Sequence, residues 1–272
     1  MGNKMEEISS QRKLEALEEN GTFIRKDGKT FLQLDCENAK ELSMKWGEKL
    51  YPFTKTGKKW ILELPFSTPV NYVQICVDGQ EVLHPDLPIG HGYGRPYNYI
   101  ELPDEDGLFE LRDVPHGTLT QEFYKSKISD NWEKLILYLP PCVPSAGLPV
   151  LYLQHGFGES EISWSTTGKV NILMDNLIAA GKIKPFAIVM GNGMVKQRID
   201  GELKLNRALY GQMLVEEILP MLEKKYQFGG SKEKRGMAGL SMGSVQTTRI
   251  ICEHPELFSE VGIFSGFLRD RI

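Results

Sequence analysis

The stretch Gly239-Leu240-Ser241-Met242-Gly243 sets a hydroxyl between two glycines at the spacing G-x-S-x-G. Serine is a weak nucleophile unless the chain presents it beside a base and beside donors that stabilise developing negative charge. Here a strand-like run, KRGMAGL, leads into the serine, and a helix-like run leaves it. In so sharp a turn, side chains at the flanking positions would strike the neighbouring strand and helix, so Gly239 and Gly243 must lack them. The turn also aims the Met242 amide, at a helix N-terminus, toward an oxyanion forming beside Ser241. The chemistry indicated is acyl transfer with Ser241 as nucleophile.

Upstream, LQHGFGESEISW ends an apolar run, and His155-Gly156-Phe157-Gly158 has the H-G-x-G form of an oxyanion loop. Phe157 would donate its backbone N–H, with His155 and Gly156 in supporting positions. His155 reads as a hydrogen-bonding brace for the loop and not as a proton carrier. Trp164 either lines a substrate cleft or packs under the loop.

Two kinds of pattern flank these residues. A polar segment spans residues 1–20, and residues 21–118 read as short strands between turn residues. Leu32, Leu34 and Cys36 share one face, as do Trp60, Leu62 and Leu64, and then Val73, Ile75 and Val77 before the turn pair Asp78-Gly79. That alternation predicts a β-sandwich. Trp46, Trp60 and Tyr72 could stack on sugars there or fill the core. Over residues 119–272 strands alternate with helices, which predicts an α/β domain with a mostly parallel sheet. Val170, Leu173, Met174, Leu177 and Ile178 mark one helix face, and residues 207–226 form another helix with a kink at Pro220.

Composition narrows the function. The chain has 272 residues, 41% hydrophobic and 25% charged, with a formal net charge of -4. No basic stripe suits nucleic acid or an anionic membrane, and no apolar run reaches the length of a span. The start lacks the apolar core of a signal peptide, and Glu6 stands where myristoylation wants Ser or Thr, so a cytoplasmic chain is expected. Cys36, Cys76, Cys142 and Cys252 show no metal-site spacing and read as small buried hydrophobes. Neither a metal nor an organic cofactor is expected.

The phrases DVPHGTL, ILYLPP, LPVLYLQHGFGESEISW, MDNLIAAGKIKPFAIVMGNG, GLSMGS and HPELFSEVGIFSG span residues 113 to 266. Together they resemble the esterase family of α/β hydrolases that includes feruloyl esterases and enterochelin-esterase-like enzymes. KWILELP, YVQICVDGQEVLHPD and YNYIELP resemble the immunoglobulin-like, glycogen-binding-type module that often precedes such esterases. The resemblance implies a three-layer α/β/α hydrolase domain. It also implies ester hydrolysis through an acyl-enzyme on Ser241, with the Phe157 and Met242 amides forming the oxyanion hole. The implied substrate is a small or glycan-linked ester of feruloyl or acetyl type. Ser244 departs from the second glycine usual in the family.

In this fold an acid and then a histidine follow the serine on later loops. Only 31 residues follow Ser241, and of the five histidines (His84, His91, His116, His155 and His254) only His254 lies among them. At 13 residues along a helix it would sit about 20 Å from the serine, whereas a base must approach to roughly 3 Å. His84, His91 and His116 read as structural or solvent-facing, and Asp270, the one acid near the expected place, has no histidine to orient. The catalytic acid and histidine are therefore expected to be absent, and the hydrolase domain to lack its last strands and helices. Four readings stay open: an inactive truncated esterase, a half-enzyme completed by another chain, a non-catalytic glycan-binding or scaffold protein, and a siderophore-lactone esterase. The strand EVGIFSG is expected to be an open edge through which the chain self-associates.

Overall fold

The computed structural model describes residues 22–26, 28–103 and 106–266; the segment 1–20 and Asp270 fall outside them. The chain divides into two compact units, residues 1–90 with 96–113, and residues 91–95 with 114–272.

The first unit is all β. One sheet has the order β1-β2-β6-β5, formed by β1 (Phe23–Lys26), β2 (Lys29–Asp35), β5 (Thr54–Thr56) and β6 (Lys59–Glu63). The other runs β4-β3-β7-β10-β9, from β3 (Leu42–Trp46), β4 (Lys49–Pro52), β7 (Val70–Val77), β9 (Ile89–Gly92) and β10 (Arg95–Glu101). β8 (Gln80–Val82) pairs with β7. Leu32, Leu34, Trp60 and Leu62 from one sheet and Met44, Val73, Ile75 and Ile100 from the other meet in a single core. The period-2 faces read from the sequence are thus the buried ones. Asp78 and Gly79 both take positive φ, 50° and 80°, as a tight β7–β8 hairpin requires. Trp60 is buried and donates its indole N–H to the Cys36 carbonyl, so it is a core residue and not a sugar platform. Trp46 packs on Tyr51 and Phe66, and Tyr72 meets Tyr97 and Tyr99 edge-on.

The cysteines differ from expectation. Cys36 and Cys76 are half-buried, while Cys142 and Cys252 are exposed. Cys142 sits at φ 61° in a turn, outside any strand, where nothing covers it among the described residues.

The second unit is built on one sheet of order β11-β12-β14-β13-β17-β18. Its strands are β11 (Thr118–Lys125), β12 (Trp132–Leu139), β13 (Val150–Gln154), β14 (Ala187–Gly191), β17 (Arg235–Leu240) and β18 (Glu260–Phe264). β11, β12 and β14 pair antiparallel; β14, β13, β17 and β18 pair parallel. A separate hairpin joins β15 (Lys196–Ile199) to β16 (Glu202–Leu205). Successive residues of β12 serve different cores: Leu135 and Leu137 join Val189, Tyr210 and Leu222, while Ile136 and Tyr138 join Val170, Met174 and Met190. Both faces of the sheet are therefore covered, which explains why its central strands read as continuous apolar runs.

The helices are α1 (Ser163–Thr166), α2 (Val170–Ala179), α3 (Leu209–Met213), α4 (Leu219–Tyr226) and α5 (Met242–Glu253). A π-helical turn, Leu214–Ile218, joins α3 to α4. Pro220, where a kink is expected, follows this π-helical turn directly as the second residue of α4. Proline lacks the N–H for the preceding turn and its ring crowds the carbonyl four residues back, and one wider turn removes both conflicts. The apolar stripe expected on α2 is interrupted, because Asp175 and Asn176 are buried while Leu173 and Leu177 are only half-buried. Asp175 accepts the Tyr138 hydroxyl at 2.6 Å, the Gly117 amide at 3.0 Å and a contact from His116 Nδ1 at 3.0 Å. Burial, then the Asp175 carboxylate, pushes the Tyr138 phenol well above its usual pKa, so the hydroxyl stays a donor. Among the described residues no helix is long and apolar enough to cross a membrane.

The start of β17, the strand that delivers Ser241, is fixed by a two-pronged ion pair. Arg235 Nε and Nη2 reach Glu223 Oε1 and Oε2 at 2.6 and 2.7 Å, and the Gly230 amide adds a third bond at 3.0 Å. Both side chains are nearly buried. Removing one partner strands the other, so Glu223→Leu should lower stability by about 3 kcal/mol in urea unfolding. A loss below about 1 kcal/mol, the worth of an exposed pair, would show that this bridge does not anchor the strand.

Candidate active site

β17 runs into Ser241, and α5 begins at Met242. Ser241 holds φ 52° and ψ -109°, a conformation disfavoured for any residue with a side chain. The glycines allow the close approach. A Cβ on Gly239 would lie 2.2 Å from the Gly243 carbonyl oxygen, and one on Gly243 would lie 2.6 Å from the carbonyl oxygens of Gln154 and His155. Neighbouring groups secure the turn. Ser241 N–H donates to Phe264 O at 2.9 Å, tying it to β18, while the Ser244 amide and hydroxyl both donate to Ser241 O, at 3.0 and 2.6 Å. Ser244, the departure noted above, is buried and closes the elbow with its own hydroxyl.

The loop after β13 is held as tightly. His155 is 1% exposed. Its Nε2 accepts the Gly193 amide at 3.0 Å, which leaves Nδ1–H to donate to Gly156 O at 2.8 Å. Both nitrogens are thereby engaged in holding the loop. Glu159 takes the Gly156 amide at 2.8 Å. Phe157 O and Gly158 O accept the amides of Tyr93 and Gly94, at 3.3 and 3.1 Å. Gly158 has φ 76°, and a Cβ there would lie 2.0 Å from Gly94 N. Among the described residues no hydrogen bond takes up the Phe157 or the Met242 amide.

Phe157, Ser241 and Met242 line one cleft of about 650 Å³ together with Arg207, Val245, Gln246 and Arg249. No histidine or carboxylate is among the described residues that line it. Trp164 is absent from that lining too, its ring meeting Phe264 edge-on at 6.3 Å. His254 caps the far end of α5 and pairs with Glu256, while His116 is engaged by Asp175. His84 is buried in the first unit against Cys36 and the Asp35 carbonyl, and His91 is exposed. Sequence reasoning missed Arg207, Gln246 and Arg249. No motif marks them, and only the fold brings the loop after β16 beside α5.

A strand–serine–helix turn on a mostly parallel sheet defines an α/β-hydrolase type of fold. Residues 126–271 match the Esterase family, and the chain belongs to it. Over 213 residues it is 35% identical to an endo-1,4-beta-xylanase/feruloyl esterase of Xylanibacter ruminicola, covering 75% of this chain but 29% of that protein's length. The enterobactin esterase FES of Shigella flexneri superposes over 93% of this chain and 76% of its own, with a TM-score of 0.64 and 12% identity. A ferulic acid esterase from the anaerobic fungus Anaeromyces mucronatus superposes over 60% of this chain and 63% of its own, with a TM-score of 0.55 and 22% identity.

Burial holds the His155 imidazole below its ordinary pKa, only partly offset by its bond to Gly156 O. It stays neutral in the fold, whereas the unfolded chain takes up a proton near pH 6.5. The stability His155 contributes is therefore complete above about pH 6.5 and declines as pH falls toward its depressed folded value. His155→Gln should flatten that part of the melting-temperature profile while lowering its plateau. Parallel profiles for the two proteins would mean that the buried imidazole is not the titrating group.

Proposed function

We propose that the second unit is a serine carboxylic-ester hydrolase, the reading carried by the strained, exposed Ser241, which lines one cleft with Phe157 and Met242. Ser241 Oγ attacks the ester carbonyl, and the resulting oxyanion is met by the Phe157 and Met242 N–H groups. The alcohol leaves with a proton, and water then releases the acid from the acyl-serine. Feruloyl or acetyl esters on carbohydrate are the favoured substrates, supported by the 35% identity to a protein named as a xylanase and feruloyl esterase. We read the second unit as a three-layer α/β/α hydrolase domain. The first unit reads as an immunoglobulin-like β-sandwich, supported by its two sheets sharing one core; a carbohydrate-binding role for it rests on the sequence resemblance alone. The first step needs a base within about 3 Å of Oγ, and the described cleft lining offers none.

Methyl ferulate hydrolysis, corrected for a protein-free blank, tests this. The chain should turn over slowly, and added imidazole should accelerate it by supplying the base. Loss of a triad member in subtilisin leaves about 10³ to 10⁴ over water, a guide to the residual rate here. Ser241→Ala should abolish the imidazole-dependent turnover, and a serine-directed phosphonate should label Ser241 alone. Undiminished imidazole-dependent turnover in Ser241→Ala would remove the assignment. Fast turnover without imidazole would place a base where the lining shows none.

Self-association belongs to this reading as well. Among the described residues β18 is the last strand of the sheet, with Val261, Ile263 and Phe264 exposed along it. An apolar edge strand recruits a further strand, here from a second copy. Sedimentation should show concentration-dependent association that the Val261→Lys, Ile263→Lys double variant abolishes. A wild-type chain that stays monomeric at every concentration would refute it.

A further inference from the structure

The chain carries a formal net charge of -4, yet the cleft at Ser241 has the opposite sign. Its described lining includes Arg207 and Arg249 and no carboxylate. Arg249 is neutralised by Glu253 at 2.7 Å, one turn along α5. Arg207 has no carboxylate partner among the described residues, and its guanidinium lies 5.2 Å from the centre of the Phe157 ring. Phe157 is 44% exposed and itself lines the cleft. The Arg207 backbone is fixed, its carbonyl accepting Gln246 Nε2 from α5 at 3.1 Å. A planar, unpaired guanidinium is thus held beside the oxyanion loop.

The β15–β16 hairpin continues this surface. Its register sets Lys196 opposite Leu205 and Arg198 opposite Leu203. Directly opposed residues of an antiparallel pair share a face, so this face carries two cations and two exposed leucines and no acid. Leu205 itself lines the cleft. A cleft whose one unneutralised lining charge is a guanidinium attracts anions, since a cleft focuses the field. A guanidinium fork matches a carboxylate in geometry as well as in charge.

We propose that the Ser241 cleft selects esters that carry a carboxylate in their acyl or alcohol part, with Arg207 as the residue that holds it. Uronic-acid-bearing glycan esters have this chemistry. The inference rests on the esterase reading for the word ester, but its test does not depend on turnover.

The probe is 4-acetamidobenzoate, an amide isostere of an acetyl ester with a carboxylate on its leaving group, compared with its neutral carboxamide, 4-acetamidobenzamide. Titration calorimetry at low salt should show the acid binding about tenfold more tightly, the worth of one charge-assisted contact. Added salt should narrow the difference. Arg207→Gln should bring the two ligands to about equal affinity, and Arg207→Lys should keep part of the preference. Equal binding of the two by the wild type, binding of neither, or a preference that survives in Arg207→Gln overturns the inference. Phosphonate labelling of Ser241 in parallel samples supplemented with imidazole, which supplies the base, separates the two readings. Labelling without a carboxylate preference leaves an esterase with a neutral substrate, and an Arg207-dependent preference without labelling leaves an anion site that is not an esterase.

Discussion

The contact on which the site depends is the one between the backbones of Gly239 and Gly243. No side chain fits at either, and the chain between them is forced through φ 52° at Ser241. Strain of that kind costs on the order of 1 to 3 kcal/mol and persists only where surrounding structure over-determines it. Here the Ser241 amide bonds to Phe264 O, and three donors converge on Ser241 O, from the amides of Ser244 and Val245 and the Ser244 hydroxyl. At about 1 kcal/mol net for each such bond, they match the strain. The pairing of β17 with β18 and the start of α5 are therefore part of the elbow, because each supplies one of its fasteners.

The loop bearing Phe157 solves a different problem, that of leaving one amide without a partner among the described residues, on an exposed residue that follows two buried ones. Its neighbours are each given a partner: Glu159 takes the Gly156 amide, and His155 links Gly156 O to Gly193 beyond β14. A charged imidazole would lose the acceptor that Gly193 needs, so burial and hydrogen bonding require the same neutral form. The brace thus connects the loop after β13 to the loop after β14.

How far these features can be read from sequence depends on whether their causes are local. The elbow, the period-2 faces of β2, β6 and β7, and the doubly covered β13 and β14 follow from spacing, because each is fixed by neighbours within a few residues. Asp175 was not legible. It sits where periodicity asks for an apolar residue, and the partners that make its burial tolerable, Tyr138, Gly117 and His116, are 37 to 59 residues away. The exposure of Cys142 was legible, since Pro140, Pro141 and Pro144 surround it and mark a turn. The cationic cleft was as hidden as Asp175, since Arg207 and Arg249 become neighbours of Ser241 only after the β15–β16 hairpin and α5 have docked on the same face.

That cationic character bears on the proposed chemistry as well as on selection. A substrate carboxylate brings negative charge close to the place where an oxyanion must form. Two like charges about 7 Å apart at an effective dielectric near 20 repel by about 2 kcal/mol, which would slow attack more than tenfold. A cation between them cancels most of that penalty, and an amide alone, being a dipole, does not. Arg207, 5.2 Å from the centre of the Phe157 ring, stands beside the loop whose amide is proposed to meet the oxyanion, so in that reading one side chain holds the substrate's charge and shields the transition state from it. A lysine could supply the charge. It could not lie flat on the ring and present a planar fork to a carboxylate, and this double geometry is the physical reason for an arginine at that position.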